Sequence, residues 1–285
     1  VTSPSTGYAY LDRVLDPPGG VLAMAHRGGA FHPEVEGLEN TMAAFEHAVE
    51  LGYRYLETDV HVTLDGVLLA FHDNVLDRVT DRSGAIAELT LAQVREATVG
   101  GREQVPTLAE LFERFPQARF NIDIKSQGAV AALADFVSAH RAWDRVLVGS
   151  FSAKRLAAFR RLTEHRVPTS AHPWEVLAFW LLPSGRLARR LTRGRPAALQ
   201  VPHRHRLPGV PARTPQRWTM RVVTSGLVRR AHAGGVHVHV WTIDDPDEMR
   251  ELLALGVDGL VTDRTDVLRD VLRARGQWEE PRDDT

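Results

Sequence analysis

Short runs of β-branched and apolar residues alternate with stretches whose apolar positions recur every three or four residues along nearly the whole chain. The short runs at 21–26, 55–61, 119–124, 146–150, 168–171, 198–201, 236–243 and 259–262 predict eight strands. The stretches at 41–51, 108–115, 129–140, 153–162, 225–233, 247–255 and 266–273 predict helices; Pro246 precedes one, and Gly52 and Gly256 follow the ends of others. Strands and helices that alternate in this way build a parallel sheet. Eight such strands, with no Gly-x-Gly-x-x-Gly loop after the first, predict an α/β fold of the (β/α)8 TIM-barrel type rather than a doubly wound sheet.

One run breaks the series. Residues 67–72 follow the second strand after only Thr63-Leu64-Asp65-Gly66, too few for a parallel crossover, and Asp65-Gly66 is a hairpin turn signal. A two-residue turn pairing Leu64 with Val67 sets His72 opposite Asp59, on the face that Glu57 shares by the period of two. The expected domain is a single barrel over 21–275 with this small insertion after its second strand. It is preceded by an extension over 1–20 and followed by a tail over 276–285.

The chain has 285 residues, 44% hydrophobic and 25% charged, a balance that belongs to a folded globular protein. It has no cysteine, which excludes disulfides, thiolate metal sites and cysteine nucleophiles. The first eighteen residues have neither a basic start nor an apolar stretch of signal-peptide length, and the longest apolar run, 176–182, is far too short to cross a bilayer. A cytoplasmic protein is expected. The net charge of −1 argues against a polyanion-binding protein, but it hides a segregation. Between Val176 and Ile243 there are twelve arginines and no acid. An apolar run followed by Arg186, Arg189, Arg190 and Arg193 has the composition of an interfacial segment, so 172–197 is a candidate cap facing an anionic membrane. Packing of the run on the barrel is the equal alternative. Nucleic-acid binding by the arginines leaves the acids described next without a role, and no nucleic-acid partner is expected.

Polar residues recur where the apolar strands end: His26-Arg27-Gly28, Glu57-x-Asp59, His72-Asp73 and Asp123-x-Lys125. The C-terminal ends of barrel strands form one rim, so these residues are expected to converge. Three carboxylates without cysteine suit Mg2+ or Ca2+, two cations suit phosphate oxygens, and two histidines suit acid–base work near neutral pH. Together they point to phosphodiester chemistry. His61, His237 and His239 are left outside the site.

These motifs, with Glu39-Asn40-Thr41, Asn121-Ile122-Asp123-Ile124-Lys125, Ser150-Phe151, Val240-Trp241-Thr242, Gly256-Val257-Asp258-Gly259 and Thr262-Asp263, strongly resemble the glycerophosphodiester phosphodiesterase family over roughly residues 21–272. The resemblance implies a metal-dependent enzyme that cleaves a glycerophosphodiester to an alcohol and glycerol 3-phosphate, with a cyclic phosphate formed first by the neighbouring glycerol hydroxyl. It implies His26 and His72 as catalytic acid and base, in an order it leaves open. Glu57, Asp59 and Asp123 are implied as metal ligands, and Arg27 and Lys125 as phosphate contacts. Glu39 and Trp241 are candidate substrate contacts; their plainer readings are a helix-dipole charge and a barrel-end core residue. Asp123 stands where the family often has glutamate, and Asp244 where asparagine is common. Lysophospholipids at a membrane surface are the alternative substrates, which would make the enzyme a lysophospholipase D. A non-catalytic barrel would require lost catalytic positions, and none is lost.

Overall fold

The computed structural model describes residues 3–12, 20–206 and 219–278. Parts of the expected extension (1–2 and 13–19) and tail (279–285), and residues 207–218 of the arginine block, lie outside the described residues. The strands are β1 (Leu22–His26), β2 (Tyr55–Val62), β3 (Leu68–Ala70), β4 (Arg119–Ile124), β5 (Val146–Gly149), β6 (Ala198–Pro202), β7 (Arg204–Arg206), β8 (Thr219–Arg221), β9 (His237–Trp241) and β10 (Gly259–Thr262). The helices are α1 (Ala9–Asp12), α2 (Met42–Glu50), α3 (Leu91–Val94), α4 (Leu108–Arg114), α5 (Ala129–Ala139), α6 (Ala153–Leu162), α7 (Pro173–Leu181), α8 (Gly185–Leu191), α9 (Ser225–Ala233), α10 (Pro246–Leu255) and α11 (Thr265–Ala274). None of the described helices is long and apolar enough to cross a membrane.

Parallel strands run in the order β5-β4-β2-β1-β10-β9-β6. The expected strand at 168–171 closes the ring between the two ends, as single parallel bridges from Thr169 to Val148 and from Ser170 to Ala198. Ser170 N donates to Val148 O at 2.9 Å and Ala171 N to Ala198 O at 2.8 Å. Eight staves and their flanking helices thus form the TIM-barrel architecture. Helices start where the sequence marks them: Thr41 caps α2, Thr107 and Glu110 form a capping box on α4, and Asp245 caps α10 ahead of Pro246.

Alternation along each stave divides the core in two. Ala25, Leu56, Val60, Phe120, Ile122, Val148, Leu199 and Val238 face outward and pack with the helices in the large cluster. Leu22, Met24, Tyr55, Leu147, Ala198 and Val261 face inward, where Tyr10 and Leu11 of α1 join them at the bottom of the barrel. His26, Glu57, Asp59 and Asp123 have the inward parity and lie one or two pairs nearer the other end.

The β2–β3 hairpin departs from the expected register. Thr63, not Leu64, pairs with Val67 across a three-residue loop, with Thr63 N donating to Val67 O at 3.0 Å. The ladder pairs Val60 with Ala70, His61 with Leu69 and Val62 with Leu68. The Thr63 hydroxyl donates to Asp65 Oδ1 at 2.6 Å and accepts from Val67 N at 2.9 Å, and Gly66 at φ +85° closes the loop in the left-handed region. This one extra loop residue slips every pairing by one. Asp59 therefore stands opposite Phe71, whose N–H donates to Asp59 O at 2.9 Å, and His72 lies beyond the ladder.

Candidate active site

Inward parity at the strand ends brings the sequence candidates to one mouth. β1 delivers His26 and β2 delivers Glu57 and Asp59, with His26 directly beside Glu57 in the register. β4 places Asp123 directly beside Asp59. After β1 the chain turns through Arg27 at φ 51°, a conformation uncommon for a residue with a side chain. The turn lets Arg27 N donate to Glu57 Oε2 at 3.1 Å.

The two histidines are held alike. His26 Nδ1 lies 2.8 Å from Asp263 Oδ1, and His72 Nδ1 lies 2.6 Å from Asp73 Oδ1. In each case the carboxylate fixes Nδ1 as the protonated nitrogen and leaves Nε2 for chemistry. His26 Nε2 also lies 3.8 Å from Glu57 Oε2. Burial pulls the His26 imidazole down, but the charge of Glu57 and the bond to Asp263 outweigh it and raise the group above its ordinary value.

Three cations interleave with the acids. Lys125 Nζ bridges Asp59 Oδ1 at 2.9 Å and Asp123 Oδ2 at 2.7 Å. Burial opposes the ammonium, yet Asp123 and then Asp59 hold it above the ordinary lysine range. Arg27 Nη1 donates to Glu39 Oε1 at 3.0 Å, and its Nε lies 3.2 Å from Asp59 Oδ2 without hydrogen-bond alignment. Asp59 is buried, which pushes its carboxyl up, but Lys125 and Arg27 bring it below its ordinary value. Burial and the neighbouring Asp59 charge push Glu57 up to about 7.

Sequence reasoning missed the third cation. Arg78, in the loop after the hairpin, donates from Nη1 and Nη2 to both oxygens of Glu39 at 2.7 and 2.6 Å, and from Nε to Asp73 Oδ2 at 2.5 Å. A continuous chain therefore runs from His72 through Asp73, Arg78 and Glu39 to Arg27. Asn40 was missed as well: at φ 57° it accepts from Thr58 Oγ1 at 2.8 Å and donates to Asp59 Oδ2 at 3.3 Å. Asp263 had a signal, since it ends the last stave with inward parity. Asp244 Oδ1 accepts from Asp263 N at 2.8 Å and Thr262 Oγ1 at 2.9 Å, an acceptor role that an asparagine oxygen fills equally. His61 contributes indirectly, its Nε2 lying 3.1 Å from the carbonyl of His72.

Trp241 ends β9 and meets Phe151 edge to face, the ring centroids 5.9 Å apart. Phe151 follows β5, three staves away from β9, so the pair spans part of the mouth; Phe151 is 67% exposed. Beneath the acids, Gln200 Nε2 donates to Asn121 Oδ1 at 3.1 Å. His239 beside them is fully buried, which drives its imidazole down to about 3.

Among the described residues no three histidine or acidic side chains stand ready-grouped as metal ligands. Two features nevertheless fit a hard divalent cation. The donors are all carboxylate oxygens, and Asp123 Oδ1 is buried without a hydrogen-bond partner. The space between Asp59 and Asp123 already holds a positive charge, that of Lys125.

The model of the glycerophosphoryl diester phosphodiesterase family matches residues 26–267. A Mycobacterium tuberculosis protein that carries the name "Probable glycerophosphodiester phosphodiesterase 2" is 43% identical over 92% of this chain and 94% of its own length. The human lysophospholipase D GDPD1 is 27% identical over 87% of this chain and 85% of its own. A phosphodiesterase of Oleispira antarctica, solved with its product sn-glycerol-3-phosphate, superposes with a TM-score of 0.70 at 22% identity, over 89% of this chain and 97% of that one. On its sequence, and with a fold that agrees, the chain belongs to the glycerophosphoryl diester phosphodiesterase family.

Proposed function

We propose that the chain hydrolyses glycerophosphodiesters to an alcohol and glycerol 3-phosphate, with His26 and His72 as the acid–base pair. The observation that carries this reading is the matched pair of histidines, each bound through Nδ1 to its own carboxylate at one barrel mouth. In the first step one histidine accepts the proton of the hydroxyl on the neighbouring glycerol carbon and the other protonates the departing alkoxide. In the second the roles reverse: the histidine left neutral accepts a proton from water, and the protonated one returns its proton to the glycerol oxygen as the cyclic phosphate opens. Arg27 and Lys125 face the phosphoryl oxygens, where negative charge grows in the transition state. Glu57, Asp59 and Asp123 are the residues that would hold Mg2+ or Ca2+, which when bound supplies Lewis-acid stabilisation of that charge. Asp123 is one methylene shorter than glutamate, so its carboxylate reaches less far from β4.

Lysophospholipids are the second reading. The exposed Phe151 ring against Trp241 gives the mouth an apolar wall that a glycerol group alone does not need. Glycerophosphocholine, glycerophosphoethanolamine and lysophosphatidylcholine, each assayed with Mg2+, Ca2+ or EDTA, test both readings. Metal-dependent release of choline or ethanolamine from the glycerol diesters is expected. No release from any of the three under any condition sinks the hydrolytic assignment, and release from lysophosphatidylcholine alone favours the second reading.

A further inference from the structure

α7 and α8 form a helical hairpin between the staves at 168–171 and β6, and one side of it is fixed to the barrel. Phe179 and Ala188 are buried, Glu175 pairs with the buried Arg160, and Arg230 donates to the carbonyls of Phe179 and Trp180 at 2.8 and 2.9 Å. A methyl group on Gly185 would lie 1.8 Å from the Arg230 carbonyl, so the start of α8 rests directly on the backbone of α9. The hairpin is thus held against the barrel along one side.

Its other side is apolar and cationic. Trp174, Leu177 and Leu181 recur at helical spacing along the outer stripe of α7, with Trp174 73% and Leu181 61% exposed. Leu187 and Leu191 are exposed one turn apart on α8, Leu191 by 66%. Arg186, Arg190 and Arg193 are exposed among them, and no carboxylate occurs in the sequence from Val176 to Ile243. Among the described residues none of these three arginines has an acidic partner. A cleft of about 340 Å³ opens between the α7–α8 turn and α9, with Ser184, Arg229 and Arg230 on its wall.

We propose that the outer side of the α7–α8 hairpin docks on an anionic phospholipid surface. Its leucines and Trp174 enter the acyl boundary, and Arg186, Arg190 and Arg193 meet the lipid phosphates. Charge complementarity selects this occupant. A second copy of the chain meeting the same face across a two-fold axis would bring these arginines against one another. The first turn of α7 directly follows the rim end of stave 168–171, so the bilayer lies beside the catalytic mouth. The surface stands on its own residues, independently of the catalytic reading.

The test is co-sedimentation of the full chain with phosphatidylcholine vesicles, with and without phosphatidylglycerol, at low and raised salt. Binding to the phosphatidylglycerol vesicles that weakens with salt is expected. R186E/R190E and L177D/L181D, on exposed positions, are each expected to lower that binding at least about tenfold while leaving turnover of soluble glycerophosphocholine unchanged. If the leucine pair fails to fold, R186Q/R190Q/R193Q with an unchanged melting curve carries the same readout. Absence of binding to phosphatidylglycerol vesicles overturns the proposal. So does equal binding by the folded variants, or a wild-type dimer that the same substitutions dissolve. Lack of glycerophosphocholine turnover by a wild-type chain that binds vesicles overturns the catalytic reading instead.

Discussion

Nδ1 of each histidine is engaged by a carboxylate, so losses of activity are expected to grade with distance from the reacting atoms. H26A and H72A are each expected to lower kcat for glycerophosphocholine by about 10²–10⁴. D263N and D73N leave the imidazoles in place and are expected to cost less. Arg78 reaches His72 only through Asp73 and reaches Arg27 only through Glu39. R78A is expected to lower kcat and raise KM by about tenfold each, the cost of misplacing two groups rather than removing one. R78K is expected not to restore them, because the three N–H bonds of an ammonium radiate from one nitrogen and cannot span the separate Nε, Nη1 and Nη2 positions from which Arg78 reaches Asp73 and Glu39. Steady-state kinetics with unchanged melting curves check the series, and wild-type kinetics for R78A would remove Arg78 from the positioning chain. His26, Glu57, Asp59 and Asp123 were legible because each ends an apolar strand with a fixed parity, whereas His72 lies past the end of β3 and was legible as a residue but not in its register. Arg78 and Asn40 were not, since both lie in irregular segments where spacing says nothing about what a side chain reaches.

Strand and helix positions follow from periodicity because burial on two faces leaves few alternatives, and all eight staves lie where the alternation places them. Register at the hairpin is decided more finely. The expected two-residue turn lost to a loop held by Thr63, Asp65 and Gly66, in which one threonine hydroxyl both donates and accepts. That choice rests on local hydrogen bonds that hydrophobic pattern does not carry. Gly66 stands at φ +85° with open space around its missing side chain, so G66A meets strain without a clash. It is expected to lower stability by about 1–2 kcal/mol, measured by urea unfolding, with kcat unchanged because the β2–β3 ladder ends at Ala70, short of His72. A loss of kcat in folded G66A would show that the loop sets the position of His72.

At the scale of the molecule, the barrel interior holds ionisable groups that folding keeps neutral. His239 is ordinarily at 6.5 and lies at about 3 in the fold because burial disfavours its charged form. Above 6.5 neither state protonates it, and this histidine imposes no pH dependence. As pH falls from 6.5 towards 3 the unfolded chain takes up the proton first, so stability falls by up to about 1.4 kcal/mol per pH unit from this group. Thermal melts across that window are expected to show a shallower acid slope for H239Q than for the wild type, and equal slopes would contradict a neutral buried His239. The ring itself is uneven. Six of its eight junctions are continuous ladders, whereas 168–171 is joined to each neighbour by a single bridge. The barrel therefore has a seam. Breaking it costs few hydrogen bonds and leaves a curved seven-strand sheet intact, so in heavy water Ser170 and Ala171 are expected to exchange their amide protons well before Leu56 or Ile122. The seam borders α7 directly, which places the projecting hairpin on the stave with the most freedom to breathe.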